Sequence, residues 1–197
     1  MEDADGNLWV STYGRDGLVE ITPEGETVVF RDGINIMGSR FRFTLQLQNG
    51  DIMAASTDGL NFLRDGKLTG KLNATDGLEV TQILTAVEKE DGTILAGSDG
   101  DGIYIIRDRK ITGHIGAEEG LLSLVVLHIV PCENGYLYVT SNGLYYDEED
   151  GKPQRLSNFP YNNNYDIYIT DGAAWVSSSA GIFVADLEKL LQGEEYN

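Results

Sequence analysis

The chain has 197 residues, 41% of them apolar, enough for a buried core and far from a disordered composition. Its formal net charge of −18 and pI near 4.2 exclude a nucleic-acid partner, whose phosphates need a positive surface, and argue against anionic membranes. No run of 18 apolar residues inserts into a bilayer, and one cysteine, Cys132, leaves no internal disulfide and no multi-cysteine metal site.

Twenty-four glycines against four prolines announce many turns, and the opening MEDADGN lacks a signal-like apolar stretch. The first turn, Asp5-Gly6, leads into LWVST; Gly17 then opens GLVEI, and Gly33-Ile34 follows. The second copy holds four strand-like segments in order: FRFTLQLQ, DIMAAS, LNFLRD and KLTGKL. Period-two alternation in FRFTLQLQ predicts Phe41, Phe43, Leu45 and Leu47 on one face. A third copy runs through Asp91-Gly92, ILAGS, GIYII and Gly120-Leu121. A fourth has Asn134-Gly135, LYVTS and GLYYD, with Cys132 as a small buried hydrophobe just before it. The fifth has Asp171-Gly172, AWVSS and GIFVA, then ADLEKLLQG, a short helix with Asp186 as N-cap and Gly193 closing it.

The turn glycines 6, 50, 92, 135 and 172 lie 44, 42, 43 and 37 residues apart; the second set, 17, 59, 102, 143 and 181, lies 42, 43, 41 and 38 apart. Two markers on one period define five repeats, about 1–39, 40–79, 80–123, 124–162 and 163–197, within a single domain. The Asx-Gly dipeptides predict two-residue hairpins with positive φ at both central positions. Strand counts of three, three times four, and three predict about eighteen strands.

The second strand of each copy alternates large and small: Trp9 and Ser11, Met53 and Ala55, Leu95 and Gly97, Tyr138 and Thr140, Trp175 and Ser177. The intervening Leu8, Ile52, Ile94, Leu137 and Ala174 are apolar too, so the strand is expected to be covered on both faces. Recurrence at one position makes Trp9, Tyr138 and Trp175 core fillers rather than ligand platforms. The fold class is therefore all-β, a β-propeller-type array of four-stranded blades.

At DADGNLWVSTYGRDGLVEI and again at EDGTILAGSDGDGIYII, with a Gly-Leu between copies, the chain resembles the two-component regulator propeller repeat over nearly its whole length. That resemblance implies an extracytoplasmic, membrane-anchored sensor domain, often seven-bladed, coupled to downstream signalling domains of the histidine kinase or diguanylate cyclase type. Its ligands are implied to be glycans or their breakdown products. Seven blades of about 42 residues need roughly 290 residues, so a fragment of a larger propeller is expected. Uncovered blade faces or strand edges would then favour a homo-oligomer.

Loops between the second and third strands run STYGRDG, STDG, SDGDG, SNG and SSAG. Turn chemistry explains the short ones; the extra residues in the first and third copies suit binding groups on a rigid scaffold. In propellers these loops share a face with the loops joining blades. That face would gather Tyr13, Arg15, Asp16, Arg40, Asp99, Asp101 and Tyr161, a set suited to sugar hydroxyls and apolar sugar faces. SDGDG offers two carboxylates without an evident third ligand, so no metal and no cofactor are assigned. His114 and His128 read as strand histidines, with no serine or cysteine motif near either, and no catalytic residue is assigned. The resulting expectation is a non-catalytic sensor module that takes an oligosaccharide or another small molecule. The alternatives are a protein–protein interaction scaffold and a polysaccharide-active propeller enzyme.

Overall fold

A computed structural model describes residues 1–14, 17–132, 134–149 and 151–193. Eighteen strands and one short α-helix are present among them, matching the strand count expected from the repeats. The strands form five antiparallel sheets, each built from consecutive strands. The first holds β1 (Leu8–Ser11), β2 (Leu18–Ile21) and β3 (Thr27–Phe30); the second β4 (Phe41–Gln46), β5 (Ile52–Ser56), β6 (Gly59–Arg64) and β7 (Lys67–Leu72). The third holds β8 (Ile83–Glu88), β9 (Ile94–Ser98), β10 (Ile103–Arg107) and β11 (Lys110–Ile115). The fourth holds β12 (Val126–Cys132), β13 (Gly135–Thr140), β14 (Gly143–Asp147) and β15 (Gln154–Arg155). The fifth holds β16 (Asn164–Thr170), β17 (Ala173–Ser178) and β18 (Gly181–Asp186), followed by α1 (Leu187–Gln192). No helix among the described residues is long and apolar enough to cross a membrane.

Two compact units divide the chain: Met1–Ala96 with Ile105–Thr112, and Gly97–Tyr104 with Gly113–Asn197. In the first, Trp9, Leu18 and Phe30 of the first sheet pack on Ile52, Ala54 and Leu63 of the second, with Ile36 and Phe41 closing the cluster. In the second, Leu137, Val139 and Leu144 of the fourth sheet pack on Ile167, Ala174, Val176 and Ala185 of the fifth. Leu156 and Phe159, from the connection between those sheets, and Leu190 of α1 complete that core.

At or just after the end of each second strand stands a hydroxyl that donates to the carbonyl of the glycine opening the third strand. Thr12 to Gly17 spans 2.7 Å, Ser56 to Gly59 3.1 Å, Ser98 to Gly102 2.9 Å, Thr140 to Gly143 2.8 Å and Ser178 to Gly181 3.5 Å. Counting back three residues from this mark gives Trp9, Met53, Leu95, Leu137 and Trp175. The fourth copy is thus displaced by one from its expected alignment: Leu137, not Tyr138, occupies the large-residue position. A one-residue slip moves every side chain to the other face. Tyr138 is buried on that other face, where its hydroxyl donates to the buried Asp147 carboxylate at 2.7 Å. Burial first, then the charge of Asp147 beside it, pushes its pKa up.

Two further expectations change. Strand β4 carries a register shift between Phe41, opposite Ser56, and Phe43, opposite Ala55. The bulge sends Phe41 to one face and leaves Phe43 and Leu45 on the other, opposite Ala55 and Met53. Similar shifts occur at Val126/His128 and Asn164/Asp166 in β12 and β16. The Asx-Gly turns of the first three copies also hold one more residue than a two-residue hairpin. Gly50 N–H donates to Leu47 and Leu47 N–H to Asp51, with only Gly50 (φ 87°) left-handed; Gly6 and Gly92 repeat the pattern. Among the described turns, Asp171-Gly172 matches the two-residue form, with φ 49° and 74°. At the C-terminal end, the Asp186 carboxylate accepts from Lys189 N at 3.1 Å and Gly193 closes α1 in the left-handed region, as expected.

Coverage of the second strands also divides. Strands β5, β9 and β13 are buried at every position. In β1 Trp9 is buried but Leu8 and Val10 face solvent, and in β17 Ala174 and Val176 are buried but Trp175 is exposed. Trp175, expected as a core filler, is thus 46% exposed in this structure.

Candidate functional site

The loop that follows β1 enters from Thr12, whose carbonyl accepts Phe41 N–H at 2.8 Å, and this bond fixes the loop against the start of β4. The Arg40 carbonyl in turn accepts Thr57 N–H at 3.0 Å. Gly38, at φ 86°, makes the approach possible, because a Cβ there would lie 2.4 Å from Ser56 Oγ. Tyr13 thereby stands over β4, with the residue 56% exposed. Arg40 and Arg42 lie across that ring, their guanidinium carbons 5.3 and 5.0 Å from its centroid, and Arg42 Nη2 donates to the phenol oxygen at 3.4 Å. The Arg42 hydrogen bond, then the Arg42 charge, outweigh a small desolvation effect, and Arg40 adds to them, so the phenol sits below the usual tyrosine range. Among the described residues no carboxylate pairs with either arginine. An aromatic face flanked by two forked cation donors can hold a ring stacked on the tyrosine and a polar or anionic group on the guanidinium edges.

Within the first unit, then, Tyr13 and Arg40 come together as expected, whereas Arg15 and Asp16 lie outside the described residues. Arg42 was missed at the sequence level. Its signal was present in Ser39-Arg40-Phe41-Arg42, two arginines at strand period in an acidic chain.

The second unit holds Asp99, Asp101 and Tyr161. Asp101 N–H donates to Ser98 Oγ at 2.8 Å, and its Oδ2 accepts from the Tyr104 hydroxyl at 2.6 Å. His114 Nε2 meets the Asp101 carbonyl and lies 3.6 Å from Oδ2, with its ring 5.6 Å from Tyr104. This carboxylate is spent on closing its own hairpin. Asp99 forms a backbone bridge with Val125 and is exposed. Tyr161 stacks on Phe183, with centroids 3.8 Å apart, and meets Phe159 edge-on, so it rims the core of the fourth and fifth sheets. Among the described residues no three His, Cys, Asp or Glu side chains group as metal ligands.

Elsewhere in the first unit a cavity of about 580 Å³ is lined by Gln48, Asn49, Phe62, Asp91 and Arg109 among others. Its arginine is occupied: Arg109 stacks on Phe62 and reaches buried Asp51 at 2.5 Å, while Arg64 Nε lies 2.6 Å from the other oxygen of Asp51. That cluster is structural, tying three hairpins to one buried carboxylate. The Tyr13 platform is the better candidate because its donors face solvent.

No protein-family model and no curated protein matches the chain. Solved structures do match. The extracellular domain of a hybrid two-component system from B. thetaiotaomicron superposes with a TM-score of 0.82 at 19% identity, over 96% of this chain and 27% of that one. The extracellular domain of a one-component system from the same organism gives 0.78 at 14% identity, over 96% and 29%. Virginiamycin B lyase from Staphylococcus aureus gives 0.71 at 11% identity, over 94% and 68%. The chain thus spans just over a quarter of the two extracellular domains, and its all-β, blade-type fold is theirs.

Proposed function

We propose that the chain is a non-catalytic ligand-sensing module of a signalling protein, presented outside the cytoplasm and recognising an oligosaccharide. The observation that carries the reading is the Tyr13 platform, an exposed tyrosine with two arginines over its ring and no carboxylate partner for either among the described residues. The likeness to extracellular domains of two-component and one-component systems supports the sensor role and the compartment. In this role, sugar binding at the loops is passed to downstream signalling domains. No catalytic step is assigned: Asp101 is engaged in its hairpin, and His128 Nδ1 is held by Asp166 at 2.5 Å. Lyases and a lactonase similar in fold share only 10–14% identity with the chain, too little to transfer their chemistry to it.

Thermal unfolding in the presence of neutral and uronic-acid-containing oligosaccharides tests this. A ligand at 100 times its Kd stabilises the native state by about 2.7 kcal/mol, a readily visible rise in Tm. The rise is expected for at least one sugar, and it is lost in Tyr13→Ala and Arg42→Ala. A screen with no shift for any sugar, or a shift unchanged in both variants, overturns the reading.

A further inference from the structure

The connection from β3 to β4 is a built turn rather than a slack linker. Ile34 N–H and Asn35 N–H both donate to the Arg31 carbonyl, Gly33 N–H donates to that of Ile36, and Asn35 Oδ1 accepts Arg31 N–H at 2.8 Å. The Asp32 carboxylate is engaged too, accepting Gly38 N–H at 2.8 Å. Buried Asn61 then clamps Met37 on both sides, its amide accepting from the N–H and donating to the carbonyl at 2.9 Å each. Asn73 Nδ2 lies 3.8 Å from the Met37 sulfur. At the tip of this framework Ile34 stands 80% exposed and, unlike Ile36, takes no part in the core of the first two sheets.

Facing the turn is β7, the edge strand of the second sheet. Leu68 lies opposite Leu63 and Lys71 opposite Asn61, which puts both on the face that meets the first sheet and its connection. Between turn and strand lies a cavity of about 540 Å³, lined by Ile34, Met37, Lys67, Leu68 and Lys71 among others and of the size that small ligands occupy. The acidic side chain on its wall, Asp32, is the one already held by Gly38. Neither lysine pairs with a carboxylate among the described residues, although the chain carries 32 acidic side chains against 14 basic. An apolar wall edged by two ammonium groups is complementary to an anion with a hydrocarbon body.

We propose that this cavity binds a small amphiphilic carboxylate, an acyl or aryl acid. Its hydrocarbon lies on Ile34, Met37 and Leu68, and Lys67 and Lys71 hold its carboxylate. The hydrogen-bonded turn suits a small ligand, because little further order has to be imposed on binding. Strand addition by an extended acidic peptide fits less well. Thr69 bulges out of the ladder, since Leu68 pairs with Leu63 and Gly70 with Phe62, and its carbonyl already accepts from Arg109 at 2.9 Å.

Backbone-amide NMR of the chain titrated with hexanoate, 1-hexanol and acetate tests this. Each is taken to about 20 mM, because ligands of so few atoms bind near the millimolar range. Hexanoate shifts the amides of Gly33, Ile34, Met37 and Leu68, and acetate leaves them in place. Hexanoate binds about three- to ten-fold more tightly than 1-hexanol, the modest gain that two exposed ion pairs supply. That gap closes in the double variant Lys67→Gln/Lys71→Gln. Ile34→Asp loses hexanoate binding while keeping the parent Tm, since the side chain it replaces stands in solvent. No shift with hexanoate, 1-hexanol bound as tightly as hexanoate, a preference unchanged in the double variant, or an affinity unchanged in Ile34→Asp each overturns the proposal. So does a hexaglutamate peptide that shifts the β7 amides where hexanoate does not. Tyr13 lines no part of this cavity, so the sugar screen stands or falls separately.

Discussion

At Tyr13 a single phenol reports on two cations. Its ionised form is favoured by the Arg42 hydrogen bond and by the positive charge of Arg42 and Arg40, so it titrates below an ordinary tyrosine. Replacing Arg42 by Gln removes the largest of these effects, and the Tyr13 titration is expected to move up in pH toward the ordinary value. NMR titration of the Tyr13 ring in parent and Arg42→Gln checks this; coincident curves would dismiss the contact. Tyr13 and Arg40 were readable as loop residues beside aromatic and charged neighbours, whereas Asp101 and Tyr161 engage neighbours of their own for a physical reason. A carboxylate next to a hairpin competes for nearby hydroxyls, and Tyr104 and Ser98 lie within its reach. A tyrosine beside Phe159 finds apolar surface more readily than water. These neighbours stand close by in sequence, but which of them each side chain meets is set by the folded hairpin and core.

Among the elements, the recurring glycine at the start of the third strand is the clearest case of sequence dictating geometry. A Cβ at Gly17, Gly59 or Gly102 would stand 2.4, 2.1 or 2.3 Å from the carbonyl of Phe30, Leu72 or Ile115 in the next strand. At Gly181, where the fifth sheet ends at β18, the same Cβ meets nothing within 4 Å, although φ is 138°. Gly59→Ala therefore suffers both backbone strain and a collision, and Gly181→Ala the strain alone, about 1–3 kcal/mol for a non-glycine residue in such a region. Chemical denaturation of the two variants should show the larger loss for Gly59→Ala; equal losses would mean that the carbonyl yields. Strand number, hairpin order and both caps of α1 were legible for the same reason, since glycine, Asx and hydroxyl residues act over two to five positions. Face assignment was less so. One inserted residue at Phe41–Phe43, or a large position six rather than five residues before Gly143, exchanges inside for outside.

For the molecule as a whole, net charge opposes the compact state. With 32 acidic against 14 basic side chains, like charges repel at low ionic strength. Screening shortens from about 10 Å at 0.1 M salt to 3 Å at 1 M. Raising sodium chloride from about 0.02 to 0.5 M, across that range of screening lengths, should therefore raise the Tm of the chain. A Tm that falls with salt would mean that attractive ion pairs outweigh the repulsion. The five-fold repeat, the all-β class and the positions of nearly every turn were set by the sequence alone, because each rests on local steric and hydrogen-bonding rules. Tertiary structure alone decided that Leu137 rather than Tyr138 faces the fifth sheet, that Trp175 stands in water, and that Arg42 joins Arg40 over Tyr13. Those outcomes depend on strand register and on which neighbour covers a face, and period-two alternation is the same whichever face is buried.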